Sequence, residues 1–184
     1  TRVRQCSRCI MNEHWAGITF NEQGICSLCQ AYEDEQKIDW AARKKELDHI
    51  LSTYKSLAKS TGNKYDCIVG FSGGKDSSWT LAIAVKELKL SVLCFTYDHG
   101  FPLSSEGEWN INEFPKVLGV DHLRFTLGNN LRNAMSKKGC ELIGDFCLPC
   151  HLGIGAMPAH ITKMFNIPLA LWGEPPALYG GAGI

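Results

Sequence analysis

The 184-residue sequence has no excess of charge of either sign, because nineteen Lys and Arg residues balance nineteen Asp and Glu residues. A single-sign field that draws a protein to nucleic acid or to an anionic membrane is therefore missing. No apolar run approaches the roughly 18 residues of a membrane-spanning helix. Residues 1–5 are polar and contain two arginines rather than an apolar signal stretch. We expect a cytoplasmic protein that does not contact a membrane.

The cysteines do not have the distribution of a disulfide-linked secreted domain. Six of the nine cysteines form three Cys-x-x-Cys pairs, which is typical of metal sites in a reducing compartment. Sixteen residues separate the first two pairs, and this spacing predicts a zinc site built from two tight turns, with the ligands Cys6, Cys9, Cys26 and Cys29. Zinc supplies on the order of 10 kcal/mol of folding free energy, which about thirty residues do not obtain from a core of their own.

We predict a zinc-ribbon module over residues 1–36, with a short hairpin over residues 15–24 that brings the two turns together. A redox dithiol and an iron-sulfur site are the alternatives for these four cysteines. Residues 37–62 follow as a linking amphipathic helix, because apolar residues recur there at steps of three and four and Asp39 is placed as its N-cap. The next domain is predicted to run over residues 63–184.

A glycine turn follows a short apolar run at residues 67–71, which has the pattern of a strand covered on both faces. Gly73 and Gly74 allow a sharp turn and a close approach of the backbone to a ligand. A helix starting near Lys75 points its free N–H groups at the same place, which is the architecture of a phosphate site. A Walker P-loop is excluded, because Lys75 stands where that motif requires its second glycine, counted from Gly70.

Apolar strands and helical segments alternate after this turn. We predict strands over residues 91–97, 121–126 and 168–172, with helices over residues 77–88, 106–118 and 129–138 and a further helix ending at Phe165. This order predicts an α/β fold, a doubly wound parallel sheet preceded by the zinc-ribbon module and a helix. About four strands are visible, and we expect the sequence to be incomplete at its carboxyl end.

Ligands bind at the carboxyl ends of the strands in open parallel sheets. Asp98 follows the second strand, and Gly173 and Glu174 follow the fourth. Asp98 is a candidate to accept a hydrogen bond from a nucleotide or to help hold magnesium. The competing interpretation is an aspartate that only forms the turn before a glycine.

Cys147 and Cys150 form the third pair, and a pair by itself is a weaker signal than four cysteines. Three interpretations remain open: a second metal or iron-sulfur site, a sulfur-carrying dithiol, or two thiols at a helix end with no ligand. Cluster ligation asks for several thiolates, and Cys140 is the nearby candidate for a third.

The turn sequence Ser-Gly-Gly-Lys-Asp-Ser-Ser at residues 72–78 resembles the PP-loop of ATP pyrophosphatases, which split ATP into AMP and pyrophosphate. Over nearly its whole length the chain resembles the N-acetyl sugar amidotransferase family of lipopolysaccharide O-antigen biosynthesis, within the PP-loop superfamily (adenine nucleotide alpha hydrolase-like fold). The resemblance is carried by Cys6-x-x-Cys9-Ile-Met, by residues 18–29 and 72–78, by Asp-His-Gly-Phe at 98–101, by Cys147-Leu-Pro-Cys150 and by residues 173–181. His99, and Pro175 after Glu174, depart from the family pattern, in which both positions are usually asparagine.

The resemblance implies that the protein adenylates the acetamido group of a nucleotide-linked N-acetyl sugar and that ammonia then replaces the oxygen, giving an acetamidino sugar. It implies ATP, Mg²⁺ and Zn²⁺ as cofactors, and ammonia from a separate glutamine amidotransferase subunit. The implied catalytic residues are Lys75 and Asp76, and the implied ATP-binding residues are Ser72, Gly73, Gly74, Ser77, Ser78, Asp98, Gly173 and Glu174.

Two other functions compete with this one. Enzymes that transfer sulfur to tRNA also combine zinc knuckles, a PP-loop and a later Cys-x-x-Cys, and such an enzyme uses Cys147 and Cys150 directly. The neutral net charge counts against a tRNA substrate, since binding to a phosphate backbone favours a basic face. The second alternative is a non-catalytic nucleotide-binding regulator, which the intact Lys75 and Asp76 disfavour.

Overall fold

The computed structural model describes residues 3–174. They form two compact units, one containing the described residues up to His49 and the other running from Ile50 to Glu174. The domain boundaries predicted after residues 36 and 62 stay predictions. The part of the resemblance at residues 175–181 lies outside the described residues.

The described chain contains six helices and four strands. In chain order they are α1 (Ser27–Glu35), α2 (Trp40–Ser60), β1 (Cys67–Gly70), α3 (Lys75–Lys86), β2 (Val92–Asp98), α4 (Ser105–Leu118), β3 (Asp121–Thr126), α5 (Asn129–Ile143), α6 (Leu148–Phe165) and β4 (Ala170–Leu171). The alternation of strands and helices after residue 66 is the predicted one; α3 begins at Lys75, as predicted from the glycine turn, and ends two residues before the predicted Leu88.

The four strands form one parallel sheet in the order β3-β2-β1-β4. The chain places β2 and β3 on one side of β1 and then crosses to place β4 on the other side. Because all four strands run in the same direction, their carboxyl ends share one edge of the sheet, and the crossing between β1 and β4 is a topological switch point. The predicted α/β fold with a parallel sheet is confirmed.

Alternate residues of the central strands point to opposite faces of the sheet, and each face has its own core. On one face, Cys67 and Val69 of β1 pack with Leu81 of α3 and with partly buried residues of α4. On the other face, Ile68 of β1 packs with Ile161 of α6. Burial on both faces explains why β1 and β2 read as continuous apolar runs rather than as alternating ones.

The first unit has little regular structure besides its helices. Its described backbone makes two isolated antiparallel bridges, between Gln5 and Asn12 and between Phe20 and Cys26. The hairpin predicted over residues 15–24 is therefore only the second of these bridges, closed by a turn in which Asn21 Oδ1 accepts hydrogen bonds from the Gln23 and Ile25 N–H groups at 3.1 and 2.9 Å. Helix α1, which carries Cys29, was not among the predicted elements.

Helix α2 begins at Trp40, where Asp39 Oδ1 accepts a hydrogen bond from the Ala42 N–H at 2.9 Å. The N-cap predicted at Asp39 is thereby confirmed. Among the described residues, no single helix has both the length and the apolar character needed to cross a membrane. Helices α5 and α6 meet that criterion only when taken as a pair, and they are bent by 115° where they meet.

Candidate functional site at the carboxyl edge of the sheet

The turn between β1 and α3 has the conformation that its glycines predict. Gly73 has φ +76°, a left-handed conformation, and a Cβ atom there would lie 2.9 Å from Ile111 Cγ1 of α4. Gly74 is the N-cap of α3 and has an extended conformation with no side-chain cap. The first N–H groups of α3 therefore keep their capacity to bind an anion, and the helix dipole favours a negative charge there.

Two serines join the two ends of this turn. The Ser72 N–H donates to Ser77 Oγ at 3.1 Å, and the hydroxyl oxygens of Ser72 and Ser77 also lie 3.1 Å apart. Ser77 Oγ also donates to the Gly74 carbonyl at 3.2 Å. Asn110 of α4 holds the outer side of the turn, since its Nδ2 donates to the Gly73 carbonyl at 3.2 Å. The turn is thus a closed network that leaves a cradle at the amino end of α3.

Lys75 and Asp76 lie in the first turn of α3, where Lys75 Nζ and Asp76 Oδ1 form an ion pair at 2.7 Å. The Lys75 side chain is 87% exposed, so it has room to swing toward a bound phosphate. Gly173, which follows β4, is close to the same turn, because a Cβ atom there would lie 3.3 Å from the Asp76 carbonyl oxygen. Asp76 of the predicted catalytic pair and Gly173 therefore meet at the start of α3.

A cleft opens along this edge of the sheet, within the unit from Ile50 to Glu174. Five of the predicted site residues line it: Ser72, Ser77, Asp98, Gly173 and Glu174. The others, Gly73, Gly74, Lys75, Asp76 and Ser78, form the adjacent turn and the first turn of α3. Apolar walls are added by Phe95, Leu103, Ile111, Ile154 and Trp172. The structure thus assembles around one cleft residues that lie a hundred positions apart in the chain.

Asp98 has more partners than the sequence suggested. Its Oδ1 accepts the Gly100 N–H at 2.7 Å, and its Oδ2 accepts Arg124 Nε at 2.9 Å. Arg124 also donates twice to Glu108 of α4, at 2.9 Å each. Partial burial acts to raise the pKa of Asp98, but the Gly100 and Arg124 hydrogen bonds outweigh it and the pKa lies below its ordinary value. Asp98 therefore forms the turn before Gly100, as one of the two interpretations had it, and it also forms an ion pair with Arg124 in the wall of the cleft.

Two polar strand residues that were not among the predicted site residues contribute to the start of the loop between β1 and α3. Thr96 of β2 is buried, and its Oγ1 lies 2.6 Å from the Phe71 carbonyl oxygen and 2.8 Å from His122 Nε2. Burial lowers the pKa of His122, with a smaller contribution from Arg124. In sequence, Thr96 and His122 look like ordinary strand residues, and no local pattern marks them as partners of the loop.

Cys147 and Cys150 lie at the amino end of α6, behind the cleft wall. The Cys150 N–H donates to the Cys147 carbonyl at 2.8 Å, and the thiol of Cys150 is buried. Burial and the neighbouring Cys147 raise the pKa of Cys150. Tyr97, which lines the cleft, donates from its hydroxyl to the Pro149 carbonyl between the two cysteines, at 3.3 Å. Over residues 3–174, no third metal-ligating side chain joins this pair in a cluster; Cys140 is exposed.

The first unit holds a different kind of site. The Sγ atoms of Cys6, Cys9, Cys26 and Cys29 all lie within 4.8 Å of one another. Cys9 and Cys26 Sγ are 3.6 Å apart, close to the roughly 3.8 Å between two sulfurs that bind one tetrahedral zinc with bonds of about 2.3 Å. Cys6 Sγ also accepts the Cys26 N–H at 3.2 Å. Four sulfur donors in this arrangement fit a divalent metal of the zinc type.

The thiol pKa values show how the four adjacent sulfurs affect one another's ionisation. Burial acts to raise the pKa of Cys6, but N–H donors from Cys26 and Arg8 bring it down to about 6. The neighbouring Cys9 sulfur, with burial, raises the pKa of Cys29 to about 12. Four adjacent sulfurs do not all ionise without a cation, and a bound divalent metal removes that repulsion.

Comparisons with known proteins add relatives for part of the chain. An uncharacterized protein of Methanocaldococcus jannaschii is 41% identical over 118 residues, which cover 64% of this chain and 40% of that protein. The glutamine-hydrolyzing GMP synthase of Ralstonia nicotianae is 33% identical over 98 residues, or 50% of this chain and 17% of the synthase. The glutamine-hydrolyzing GMP synthase of Polynucleobacter necessarius is 28% identical over 108 residues, which cover 59% of this chain and 18% of the synthase. The chain thus spans less than half the length of these relatives. No protein-family model matches it.

Solved structures with a similar backbone include two synthetases. The NH3-dependent NAD synthetase of Campylobacter jejuni has a TM-score of 0.46 and 15% identity, over 72% of this chain and 56% of that one. NMN synthetase of Francisella tularensis has a TM-score of 0.46 and 12% identity, over 68% of this chain and 52% of that one.

The loop sequence, its place between β1 and α3, and the sequence similarity to GMP synthases together indicate the PP-loop ATP pyrophosphatase superfamily.

Proposed function

We propose that the chain is the nucleotide-binding part of an ATP-dependent, AMP-forming amidotransferase that acts on a nucleotide-linked N-acetyl sugar. The amide oxygen of the sugar attacks the α-phosphorus of ATP and pyrophosphate leaves. Ammonia then attacks the amide carbon, and the oxygen departs with AMP. An amide oxygen is a poor leaving group, and adenylation turns it into a good one. Ammonia comes from a separate glutamine-hydrolysing subunit, and the protein works in the cytoplasm.

The observation that carries the proposal is the cradle between β1 and α3. Gly73 in a left-handed conformation turns the chain so that Ser72 and Ser77 meet at the amino end of α3, on the floor of the cleft. Such a cradle suits the leaving pyrophosphate, whose charge grows as the bond to the α-phosphorus breaks. Lys75, at the same helix end, neutralises that charge. The sequence similarity to GMP synthases supports ATP use.

Magnesium takes oxygen ligands and is held by one or two carboxylates together with substrate phosphates. The half-buried Asp76 and the exposed Glu174 are carboxylates beside the cradle, and they fit this role. Asp98 fits it less well, because Arg124 and the Gly100 N–H already occupy both of its oxygens. We assign Asp98 instead to a hydrogen bond with the nucleotide. The four-cysteine cluster holds zinc in a structural role.

A pyrophosphate-release assay tests the proposal. Purified protein receives ATP, Mg²⁺ and ammonia, and one nucleotide-linked N-acetyl sugar at a time; matched reactions contain the corresponding sugar without its N-acetyl group, or bulk tRNA. We expect release that depends on the N-acetyl sugar and an equal amount of AMP. Release with tRNA and not with any N-acetyl sugar would contradict the sugar substrate. ATP binding without release in any mixture would favour the nucleotide-binding regulator.

The tRNA sulfur-transfer enzyme is the second candidate, because the Cys147–Cys150 turn contacts a residue of the cleft. Tyr97 lines the cleft and its hydroxyl donates to the carbonyl between the two cysteines. If these cysteines carry sulfur, Cys147→Ser and Cys150→Ser abolish turnover of the true substrate. Under the sugar proposal, Cys147→Ser leaves pyrophosphate release within about twofold, with Cys140→Ser as the matched control. Anaerobic purification followed by iron analysis and a visible spectrum tests for a cluster at the pair.

A further inference from the structure

The loop that forms the phosphate cradle begins at a carbonyl with an unusual set of partners. Phe71 is the first residue after β1, and its N–H continues the strand ladder by donating to the Phe95 carbonyl at 2.8 Å. Its own carbonyl accepts the Thr96 hydroxyl at 2.6 Å, so both polar groups of Phe71 are fixed by β2. Phe71 and Thr96 are both buried, so water has little access to compete for this bond.

The direction of each hydrogen bond follows from the chemistry of the groups. A carbonyl oxygen only accepts, so the Thr96 O–H must donate to Phe71. The Thr96 oxygen then has only lone pairs to offer His122, and His122 Nε2, at 2.8 Å, must be the protonated nitrogen. The hydrogen bonds therefore run in one direction, from His122 to Thr96 to Phe71.

The peptide bond carries this constraint into the cradle. The Phe71 carbonyl and the Ser72 N–H belong to one planar peptide group and point in opposite directions. Fixing the carbonyl therefore fixes the direction of the Ser72 N–H, which donates to Ser77 Oγ at 3.1 Å. Ser77 is one of the two serines that line the cradle.

We propose that Thr96 and His122 are positioning residues for the phosphate cradle: the chain His122 to Thr96 to Phe71 sets the plane of the Phe71–Ser72 peptide and thereby aims the Ser77 hydroxyl. The proposal deepens the proposed function and rests on it for the identity of the ligand, ATP. Thr96 borders the cleft and His122 does not, but in this assignment neither residue contacts the phosphates. Both act through the loop backbone, from strands β2 and β3.

The test compares substitutions that separate the hydroxyl from the shape of residue 96. Thr96→Val keeps the branched shape and removes the donor, while Thr96→Ser keeps the donor. Val92→Ala is the matched control, because Val92 is also buried in β2 but lies at the other end of the strand. ATP affinity is measured by calorimetry on the full chain, and thermal unfolding is measured alongside it.

We expect Thr96→Val to weaken ATP binding about tenfold, Thr96→Ser to restore it to within about twofold of wild type, and Val92→Ala to lower the melting temperature without weakening ATP binding. His122→Phe weakens binding less than Thr96→Val, and the double variant is no weaker than Thr96→Val, because the two residues act in series. Wild-type affinity in Thr96→Val, or additive losses in the double variant, would overturn the proposal.

A second measurement needs no nucleotide and so separates this proposal from the proposed function. In the ligand-free protein, ¹⁵N NMR of the imidazole of His122 should find the proton on Nε2. The amide resonance of Ser72 should shift in Thr96→Val and stay in place in Val92→Ala. A proton on Nδ1, or an unmoved Ser72 amide, refutes the relay even if ATP binds. An intact relay in a protein that does not bind ATP refutes only the proposed function.

Discussion

The two units of this protein differ in which side chains they bury. In the described residues up to His49, the buried side chains are those of Cys6 and Cys26, both of them metal-ligand candidates. In the unit from Ile50 to Glu174, two clusters of aliphatic and aromatic side chains cover the two faces of a sheet. In the first unit four sulfur atoms lie close together and the described residues bury no other side chains than two of these cysteines, whereas the second unit buries apolar side chains on both faces of its sheet. A short segment without a buried apolar core is one that a bound metal can stabilise, so we expect the first unit to depend on metal and the second on apolar packing.

Metal removal should separate the two units most sharply. We expect a strong zinc chelator, or Cys26→Ser, to remove a contribution on the order of 10 kcal/mol and to unfold the first unit. NMR should then lose the dispersed amide signals of residues such as Gly24 and keep those of the sheet. Metal analysis of untreated protein should find one zinc per chain. Cys140→Ser is the control, and an unchanged spectrum after full metal removal would show that the first unit does not depend on metal.

Truncation of a leucine should affect the two units unequally. Leu81→Ala in α3 removes a fully buried side chain from the core and should cost about 3 kcal/mol in the free energy of unfolding. Leu28→Ala in α1 should cost less than about 0.5 kcal/mol, because Leu28 is 42% exposed. Chemical denaturation of the zinc-loaded protein measures both. Equal losses would mean that the first unit also relies on apolar packing.

Lys75→Ala tests chemistry in the second unit without touching its core. The Lys75 side chain is 87% exposed, so its removal should leave the melting temperature unchanged. Pyrophosphate release should fall by roughly 100-fold or more, the scale for losing one group that stabilises charge in a transition state. Lys86→Ala, at the other end of α3, serves as the control with normal activity. Full activity in Lys75→Ala removes this lysine from the mechanism.

A pair of glycines with the same φ distinguishes strain from crowding. Gly24 in the first unit and Gly73 in the cradle both have φ +76°, so alanine at either position carries a strain of about 1 kcal/mol. At Gly73 the new Cβ also meets Ile111 Cγ1 at 2.9 Å, whereas at Gly24 the nearest atom is Ser7 Oγ at 3.9 Å. Gly73→Ala should therefore cost more stability, about 2 kcal/mol, and weaken ATP binding as well. Equal stability losses in Gly24→Ala and Gly73→Ala, with normal ATP affinity in Gly73→Ala, would show that the loop shifts to accommodate the added Cβ atom.

Acid should produce the smallest effect, and in the second unit. Because the folded pKa of Asp98 lies below its ordinary value, its contribution is complete above about pH 4 and is lost as the pH falls through the folded pKa. We expect Asp98→Asn to lower stability at neutral pH by on the order of 1 kcal/mol and to flatten the acid limb of the stability curve. Denaturation midpoints between pH 2 and pH 7 measure this, with Asp66→Asn as the control. Parallel curves for Asp98→Asn and wild type would contradict the ion pair.

The sequence predicted much of this protein because its strongest signals are local. Residues 72–78 specify their own turn, since only glycine accepts the conformation of Gly73 at no steric cost, and the apolar runs of β1 and β2 record burial on both faces. The cysteine spacing predicted a four-sulfur cluster because each pair needs only one tight turn. The hairpin over residues 15–24 was overestimated, since a single bridge suffices to bring the pairs together.

The contacts that the sequence did not predict depend on which strand lies beside which. Arg124 reaches Asp98 because β3 pairs with β2 in a register that places their carboxyl ends together. No sequence pattern around either residue predicts this contact. Thr96 contacts the loop because β2 is next to β1, and Tyr97 contacts the Cys147–Cys150 turn because α6 packs beneath the sheet. The composition and spacing of the chain determined its elements, its glycine cradle and its cysteine cluster, because those depend on neighbours along the backbone. The tertiary structure alone decided which polar side chains meet at the carboxyl edge, because parallel pairing joins residues that the sequence keeps far apart.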